Sequence, residues 1–408
     1  MPQTECICLV HSLAIEYTSV ILRFGEIGIK SSQTRRHMTK LLINHVESAL
    51  KENNVPYNRV HSVYGRIYVD TKNAVKAAEV AAQVFGIVST SPVVETSADL
   101  ESILSSGEQL ARAEFKKGLT FAVGARRIGE HSFSSQDLRE RLGERILEGI
   151  PELKLKVNLS NPDQSIYVEV RESKAHLFTQ TYEGVGGMPT GSQGKVVCTI
   201  STGLDSPIAA YKVMKRGCIP IFLHLDNTPY ADDRCSEIAV KQAQLLADYI
   251  HDFEVKMYIV PHAPDIEEAK KHAPEKMTCL FCKRNMLRIA REIALQEGAD
   301  AIVTGEIIGE QASQTTANLR VIEQAVTDYP ILRPNAGDDK VEIEHLAQTI
   351  GTYEFAKEGA SCCTLNPRYP SVRANPVDVA SCEESMDFEI LREELRNARI
   401  LVLRKGKQ

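Results

Sequence analysis

Lys195-Val-Val-Cys-Thr-Ile-Ser-Thr-Gly-Leu-Asp-Ser-Pro-Ile-Ala-Ala210 decides the reading of this chain. Val196, Val197 and Ile200 mark a buried strand, Ser201 to Ser206 a tight polar loop, and Pro207 to Lys215 a helix stopped by Gly217. A loop that enters a helix in this way offers backbone N–H groups and hydroxyls to a phosphate. Gly203 permits close backbone approach, the hydroxyls of Ser201, Thr202 and Ser206 add donors, and Asp205 can hold Mg²⁺ or orient the helix turn. The competing reading is an ordinary capped helix start, because Ser and Asp are favoured caps. The stretch lacks the Gly-Lys-Ser/Thr ending of a Walker loop, so γ-phosphate chemistry fits poorly.

Outward from this stretch, strands read at 195–200, 218–225, 254–260, 299–304 and 329–333, with helices at 207–216, 234–250 and 282–297. Such alternation predicts an α/β fold with a doubly wound parallel sheet, whose ligands sit at the C-terminal strand ends. Ala301 to Thr315 is a second strand-to-loop junction: Gly305 and Gly309 allow backbone approach, and Gln311, Ser313, Gln314 and Thr315 form a polar cluster. Upstream, Gly184-Val-Gly-Gly-Met-Pro-Thr-Gly-Ser-Gln-Gly194 reads as a linker. Residues 78–183 show helices near 75–84, 100–117 and 135–147 and strands at 120–125, 154–159 and 165–171. The region before Ala77 shows a strand at 18–24, a helix at 34–51 and a hairpin around Gly65, a small α+β unit.

A chain of 408 residues with 43% hydrophobic and 25% charged residues accommodates two or three globular domains. No apolar run is long enough to span a membrane, and ten cysteines are too sparse for a secreted disulfide framework, so the cytoplasm is expected. The net charge of −6 argues against general nucleic-acid binding, but it is uneven. Residues 1–183 hold 22 Lys+Arg and 22 Asp+Glu, which leaves 26 and 32 for the remainder. Local basic patches in the neutral part (Lys30, Arg35, Arg36, His37 and Lys40; then Arg112, Lys116, Lys117, Arg126 and Arg127, opposed by Glu114) fit phosphate contacts. Each patch alone also fits a solvated helix face.

Cys279-Leu-Phe-Cys282 opens a helix and is followed by Lys283 and Arg284, a setting that lowers a thiol pKa. A CxxC pair supplies two ligands of a zinc or Fe–S site. Cys362, Cys363 and Cys382 lie downstream as further candidates, and three thiolates suit a cluster with one open iron. A reduced, unliganded pair is the alternative. Cys198 and Cys218 fall in predicted core strands, where cysteine acts as a small hydrophobe.

The pattern Ser-x-Gly-x-Asp-Ser at 201–206 resembles the pyrophosphate-binding PP-loop of enzymes that split ATP into AMP and pyrophosphate. From about Arg23 to Ala374 the chain resembles the tRNA 4-thiouridine synthetases of the ThiI type. The resemblance is carried by Arg23-Phe-Gly-Glu-Ile-Gly-Ile-Lys-Ser31, Phe121 to His131, Val157 to Asp163, Gly184 to Pro189, the 201–206 loop, Val303 to Glu306, Ala312 to Thr315 and Ile350 to Glu354. It implies a PP-loop (adenine nucleotide α-hydrolase-like) domain at 195–408, after a ferredoxin-like domain at 1–77, an RNA-binding THUMP domain at 78–183 and a linker at 184–194. It further implies that uridine 8 of tRNA is adenylated with ATP and that sulfur then displaces AMP. By position, Thr199, Ile200, Ser201, Thr202, Gly203, Asp205, Ser206, His224, Leu225, Lys283, Gly305 and Gln314 would contact ATP or pyrophosphate, with Mg²⁺. Asp205 and Cys363 would be catalytic, and Lys30, Arg35, Arg36, Lys116, Lys117, Arg126 and Arg127 would meet tRNA.

The chain departs from the family pattern in three ways. Thr202-Gly203 stands where Gly-Gly is usual. The chain ends near the PP-loop domain without a rhodanese domain, so sulfur is expected by another route. Cys279 and Cys282 resemble an archaeal-type branch thought to ligate an Fe–S cluster. Either a 4Fe–4S or 3Fe–4S cluster on Cys279, Cys282 and Cys363, or a persulfide on Cys363, would then deliver sulfur from sulfide or a cysteine desulfurase; Cys362 competes with Cys363 as the third ligand. A homodimer bridged by tRNA is plausible on this reading. Two alternatives are another PP-loop pyrophosphatase or synthetase, and an inactive tRNA-binding protein.

Overall fold

An eleven-residue strand, Ile87–Ser97, organises the N-terminal part of the chain. The computed structural model describes residues 15–360 and 363–403. The chain divides into two units, Met1–Gly186 and Gly187–Gln408. In chain order the first unit contains β1 (Ser19–Phe24), α1 (Ser32–Glu52), β2 (Arg59–Val63), β3 (Arg66–Asp70), α2 (Ala74–Ala82), β4 (Ile87–Ser97) and α3 (Leu100–Glu114). There follow β5 (Thr120–Ile128), α4 (Ser135–Gly149), β6 (Lys156–Val157), β7 (Gln164–Arg171), β8 (Lys174–Phe178) and β9 (Tyr182–Glu183). The sheet order is β2-β3-β1-β4-β8-β7-β5-β6, with β9 also on β4. Strand β4 pairs with β1 along its first seven residues and with β8 along its last four, so one strand serves both halves of the sheet.

The expected hairpin is β2–β3, and Tyr64 and Gly65 both take positive φ, as a two-residue turn with the twist of the strands requires. The strand expected at 154–159 shrinks to β6, because Lys154 adopts a left-handed conformation (φ 50°) that breaks extended structure. The α3 helix ends at Glu114 rather than at 117, since Phe115 is extended and buried.

The second unit comprises β10 (Lys195–Thr199), α5 (Asp205–Lys215), β11 (Ile219–Asp226), α6 (Arg234–Ala247), β12 (Val255–Pro261), α7 (Ala263–His272) and α8 (Thr278–Glu297). It continues with β13 (Ala301–Val303), α9 (Thr316–Glu323), β14 (Ile331–Leu332), α10 (Lys340–Ile350), α11 (Thr352–Ala356), α12 (Pro376–Glu383), α13 (Glu389–Arg396) and β15 (Arg399–Leu403). Strand order is β14-β13-β10-β11-β12-β15, all parallel except the edge strand β15. The chain winds outward from β10 through β11 to β12 and then returns to β13 on the other side of β10. The order reverses there, and a crevice opens between the C-terminal ends of β10 and β13. Val197, Ile221, Leu223, Ile302, Phe281 and Ile293 form part of the core between this sheet and α8. The segment before β10 holds no regular element but is tightly packed: a Cβ on Gly187 (φ 84°) would stand 2.0 Å from the Lys215 carbonyl oxygen. None of the helices among the described residues is long and apolar enough to cross a membrane.

Candidate active site

The loop between β10 and α5 folds on its own hydroxyls. The Ser201 N–H donates to Ser206 Oγ at 2.8 Å, the two hydroxyl oxygens lie 2.9 Å apart, and the Gly203 N–H donates to Ser201 Oγ at 3.3 Å. Among the described residues no side chain caps α5. The capped-helix reading therefore fails: the hydroxyls shape the loop and leave the helix N-terminus open to an anion. Gln242 of α6, which is buried, donates to the carbonyl of Thr202 at 3.1 Å and fixes the loop from below.

This loop forms one wall of a cavity of about 320 Å³. Thr199, Ile200, Ser201, Thr202, Asp205, Ser206, His224, Leu225, Lys283, Gly305 and Gln314 all line it. Gly203 does not line it and is exposed. A Cβ on Gly305 would lie 2.7 Å from the Ser206 backbone, so the absence of a side chain there lets the second loop close against the first. Buried His224 has Nδ1 2.9 Å from the Ile200 carbonyl, and burial pushes its pKa down. A neutral ring with its proton on Nδ1 leaves Nε2 as an acceptor, and Nε2 has no hydrogen-bond partner among the described residues.

Two groups that brace residues of the cavity lining, Lys340 and Arg333, have no signal in the sequence pattern. Lys340, at the start of α10, bridges Asp205 Oδ1 (2.6 Å) and Glu310 Oε1 (2.7 Å). Burial raises the Asp205 pKa, and the hydrogen bond and charge of Lys340 only partly offset it. Glu306, 5% exposed, accepts from Thr304 and lies 3.5 Å from Lys283 and 3.3 Å from Arg333. Lys340 and Arg333 come from segments whose local sequence is unremarkable for catalysis, and only the tertiary structure brings them to Asp205 and Glu306.

A second cavity, of about 170 Å³, is lined by Cys279, Cys282, Cys363, Thr278, Asn366 and other residues. Helix α8 starts at Thr278, four residues before the expected 282, so both CxxC cysteines lie in its first turns. Cys363 arrives from a distant segment. Thr364 is tied to the Tyr230 carbonyl through N–H and hydroxyl (2.8 and 3.0 Å), and Cys279 Sγ donates to Asn366 Oδ1 at 3.4 Å. The expected depression of the Cys279 pKa does not occur. Burial, then the neighbouring Cys282 and Cys363 sulfurs, push it up to about 11, outweighing Lys283. Cys382 lies on α12 beside the hydrophobic core and lines neither cavity. Cys362 lies outside the described residues.

The three thiols do not gather within 4.8 Å of one another; among the described residues the one such ligand group is His262, Asp265 and Glu394. Three thiols on one cavity are donors suited to a thiophilic metal or an Fe–S cluster. Cys282, Lys283, Asn227 and Gln311 line both cavities.

In the first unit, Lys30, Arg35 and Arg36 are exposed at and just before the start of α1, and Lys116 and Lys117 are exposed after α3. Lys30, Arg36, Lys116, Lys117 and Arg126 form no ion pair among the described residues, while Arg35 donates to the Gly28 carbonyl at 3.3 Å. The second patch does not act as one surface. Arg112 is neutralised by Glu108 (3.1 Å) and Glu152 (2.6 Å). Arg126 and Arg127 are consecutive on β5 and point to opposite faces, Arg126 exposed and Arg127 half-buried.

A doubly wound sheet whose first loop opens an uncapped helix beside a nucleotide-sized crevice is the architecture of the PP-loop ATP-cleaving enzymes. The chain belongs to the ThiI family: the model for "Thiamine biosynthesis protein (ThiI)" matches residues 191–388, the THUMP domain 97–180 and the ThiI ferredoxin-like domain 19–91. A probable tRNA sulfurtransferase of Methanosarcina mazei is 38% identical over 391 residues, covering 95% of this chain and 96% of its own. One from Methanobrevibacter smithii is 39% identical over 378 residues, covering 91% and 95%. The crystal structure of a 4-thiouridine synthetase–RNA complex with bound ATP superposes with a TM-score of 0.85 at 29% identity, covering 95% of this chain and all of the other.

Proposed function

We propose that this protein is a cytoplasmic, ATP-dependent tRNA sulfurtransferase that adenylates uridine 8 of tRNA and replaces its O4 with sulfur, giving 4-thiouridine. The observation that carries this reading is the sharing of Cys282, Lys283, Asn227 and Gln311 between the cavity at the phosphate-binding loop and the thiol-lined cavity. Activation of the base and delivery of sulfur then happen at adjoining places.

ATP occupies the larger cavity. The open N-terminus of α5, with Ser201, Thr202 and Ser206, receives the leaving pyrophosphate. His224 Nε2, an unpaired acceptor, meets a donor of the nucleotide, such as the adenine amino group. Lys283 offsets the charge that develops at the α-phosphate when uridine O4 attacks it. Asp205, with phosphate oxygens, is a hard oxygen donor suited to Mg²⁺, which would neutralise the leaving group. Hydrosulfide in the thiol cavity then attacks C4: the C–S bond forms, the C4–O4 bond breaks, O4 leaves on AMP, and the S–H proton passes to N3, replacing the one N3 gave up to solvent when O4 was adenylated. Cys279, Cys282 and Cys363 would hold an Fe–S cluster, which would supply an open iron to bind that sulfide. The donor is sulfide itself or a cysteine desulfurase.

We assign tRNA binding to the ferredoxin-like (1–77) and THUMP (78–183) regions, where Lys30, Arg35, Arg36, Lys116, Lys117 and Arg126 supply salt-sensitive phosphate contacts, and the chemistry to residues 195–408.

The deciding experiment is mass spectrometry of tRNA treated with ATP and sulfide by anaerobically purified wild type, Asp205→Ala and Cys363→Ala, with an iron assay on each. Asp205→Ala is expected to lose pyrophosphate release and thiolation together, and Cys363→Ala to lose thiolation and iron while still releasing pyrophosphate. A wild type that forms no thiolated nucleoside overturns the function; an iron-free wild type that thiolates overturns the cluster.

A further inference from the structure

Cys282 borders both cavities, so its sulfur has two places to point. A chain of buried polar groups reaches that sulfur from behind. His262 Nε2 lies 3.4 Å from Cys282 Sγ. On the other side of the ring, His262 Nδ1 lies 2.7 Å from Asp265 Oδ1 and 3.7 Å from Glu394 Oε2, charge contacts in which none of the three atoms makes a hydrogen bond among the described residues. The carboxylates are themselves fixed. Glu394 Oε1 accepts the Asp265 backbone N–H at 2.9 Å, and the Asn285 amide donates to Asp265 Oδ2 at 2.7 Å. His262, Asp265 and Glu394 are 0%, 2% and 3% exposed. Burying two carboxyl groups and an imidazole is costly, and an apolar trio of similar volume would stabilise the fold at least as well. Neither ATP binding nor the phosphate loop uses them.

We propose that His262 is a positioning residue for Cys282. The ring, packed against Asp265 and Glu394, presents Nε2 to the sulfur and fixes its direction beside Cys279 and Cys363, where the three thiols take a thiophilic metal group. This rests on the reading of the three cysteines as a ligand set. It deepens that reading, because a ligand's orientation is commonly set by a hydrogen-bonded neighbour whose loss weakens metal binding.

The test uses the full-length chain in two forms. Anaerobically purified protein is challenged with EDTA and the rate of iron release is followed. Metal-free protein is titrated with cadmium, read by the thiolate-to-cadmium ultraviolet absorbance. His262→Phe removes the polar contact to the sulfur; His262→Gln restores a polar group near the position of Nε2. His262→Phe is expected to weaken cadmium binding by roughly 10–100-fold and to speed iron release, and His262→Gln to recover most of the affinity. In a Cys282→Ser background His262→Phe should add no further loss. If His262→Phe does not fold, Asp265→Asn releases the ring at little change in size and is expected to weaken cadmium in the same sense. An unchanged cadmium affinity in a cooperatively melting, ATP-binding His262 or Asp265 variant overturns the proposal, as does an equal loss with Cys282 already replaced. A wild type that purifies without iron, yet binds cadmium in a His262-dependent way, removes the cluster and keeps the positioning role.

Discussion

The Asp205 carboxylate and the Lys340 ammonium meet at 2.6 Å, joining the start of α5 to the start of α10 across 135 residues of chain. The pair sits at the N-terminus of α5, where the proposed function puts the leaving pyrophosphate. Burial still raises the Asp205 pKa despite this partner. A carboxyl whose folded pKa is raised contributes stability at acid pH that is lost as pH rises through the folded value, so ionised Asp205 weighs against the fold at neutral pH. Asp205→Asn should therefore melt at the same Tm as wild type or higher at neutral pH. Its pyrophosphate release should fall by roughly 10²–10³-fold, the scale for losing one charge-stabilising group in a site. Thermal melting beside a pyrophosphate assay checks both, and a large loss of Tm would show the pair to be structural.

Gly305 is fixed by contact. Its missing Cβ would fall 2.7 Å from Ser206 Cα and N, both backbone atoms that cannot swing aside. Gly305→Ala should push the two loops apart, costing about 1–3 kcal/mol of stability. The displacement also widens the phosphate site, so KM for ATP should rise. Urea unfolding and ATP titration measure the two effects, and wild-type values for both would mean the loops accommodate a methyl group.

Acid should release α12 from α8. Glu383 of α12 accepts from Arg284 at 2.6 and 2.7 Å and from Arg288 at 2.7 Å. Burial pushes the Glu383 pKa up, but the two arginines win and hold it below the ordinary glutamate value. Its stabilising contribution is therefore complete above the unfolded glutamate pKa and is lost as pH falls through the lower folded value. Glu383→Gln leaves buried Arg284 without its counter-charge and should cost about 3–5 kcal/mol at neutral pH, with the gap to wild type closing in acid. Urea midpoints over a pH series decide it; a gap that does not depend on pH would rule out the charge as its source.

For RNA, charge-neutral replacement of Lys116 and Lys117 tests the exposed basic patch. If each meets one phosphate, the double Ala variant should bind tRNA with a salt slope smaller by about 2, at little change in Tm. Arg112→Ala, in contrast, should leave the slope unchanged, because Glu108 and Glu152 already neutralise it. Filter binding across a salt series separates the two, and equal slopes for wild type and the double variant would remove this patch from the RNA surface.

Much of the site was legible in the chain because it lies where strands stop. The 201–206 loop and the 304–314 junction follow short apolar strands, and the residues expected to contact nucleotide, other than Gly203, fall around one cavity. Lys340, Glu310 and Gln242 were not legible: each is an ordinary polar residue in a helix or loop, and nothing local marks it. The cysteine setting was misjudged for a related reason. A helix N-terminus and two following cations predict a lowered thiol pKa, but the burial that raises Cys279 is a property of the packed cavity. The patch at 112–127 was overcounted because Glu108, four residues before Arg112, was left out of the count and Glu152, forty residues away, is invisible to a local one.

The sequence by itself determined the alternation of strand and helix, the phosphate-binding loop and the presence of three thiols, because periodicity, turn residues and motif spacing act within a few residues of chain. Only the tertiary structure decided that Cys363 joins Cys279 and Cys282, that Cys282 stands between the two cavities, and that His262, Asp265 and Glu394 back it. Those relations depend on the reversal of strand order at β10 and on a segment pinned through Thr364 to Tyr230, contacts between residues far apart in sequence, whose energies are set by burial rather than by neighbours along the chain.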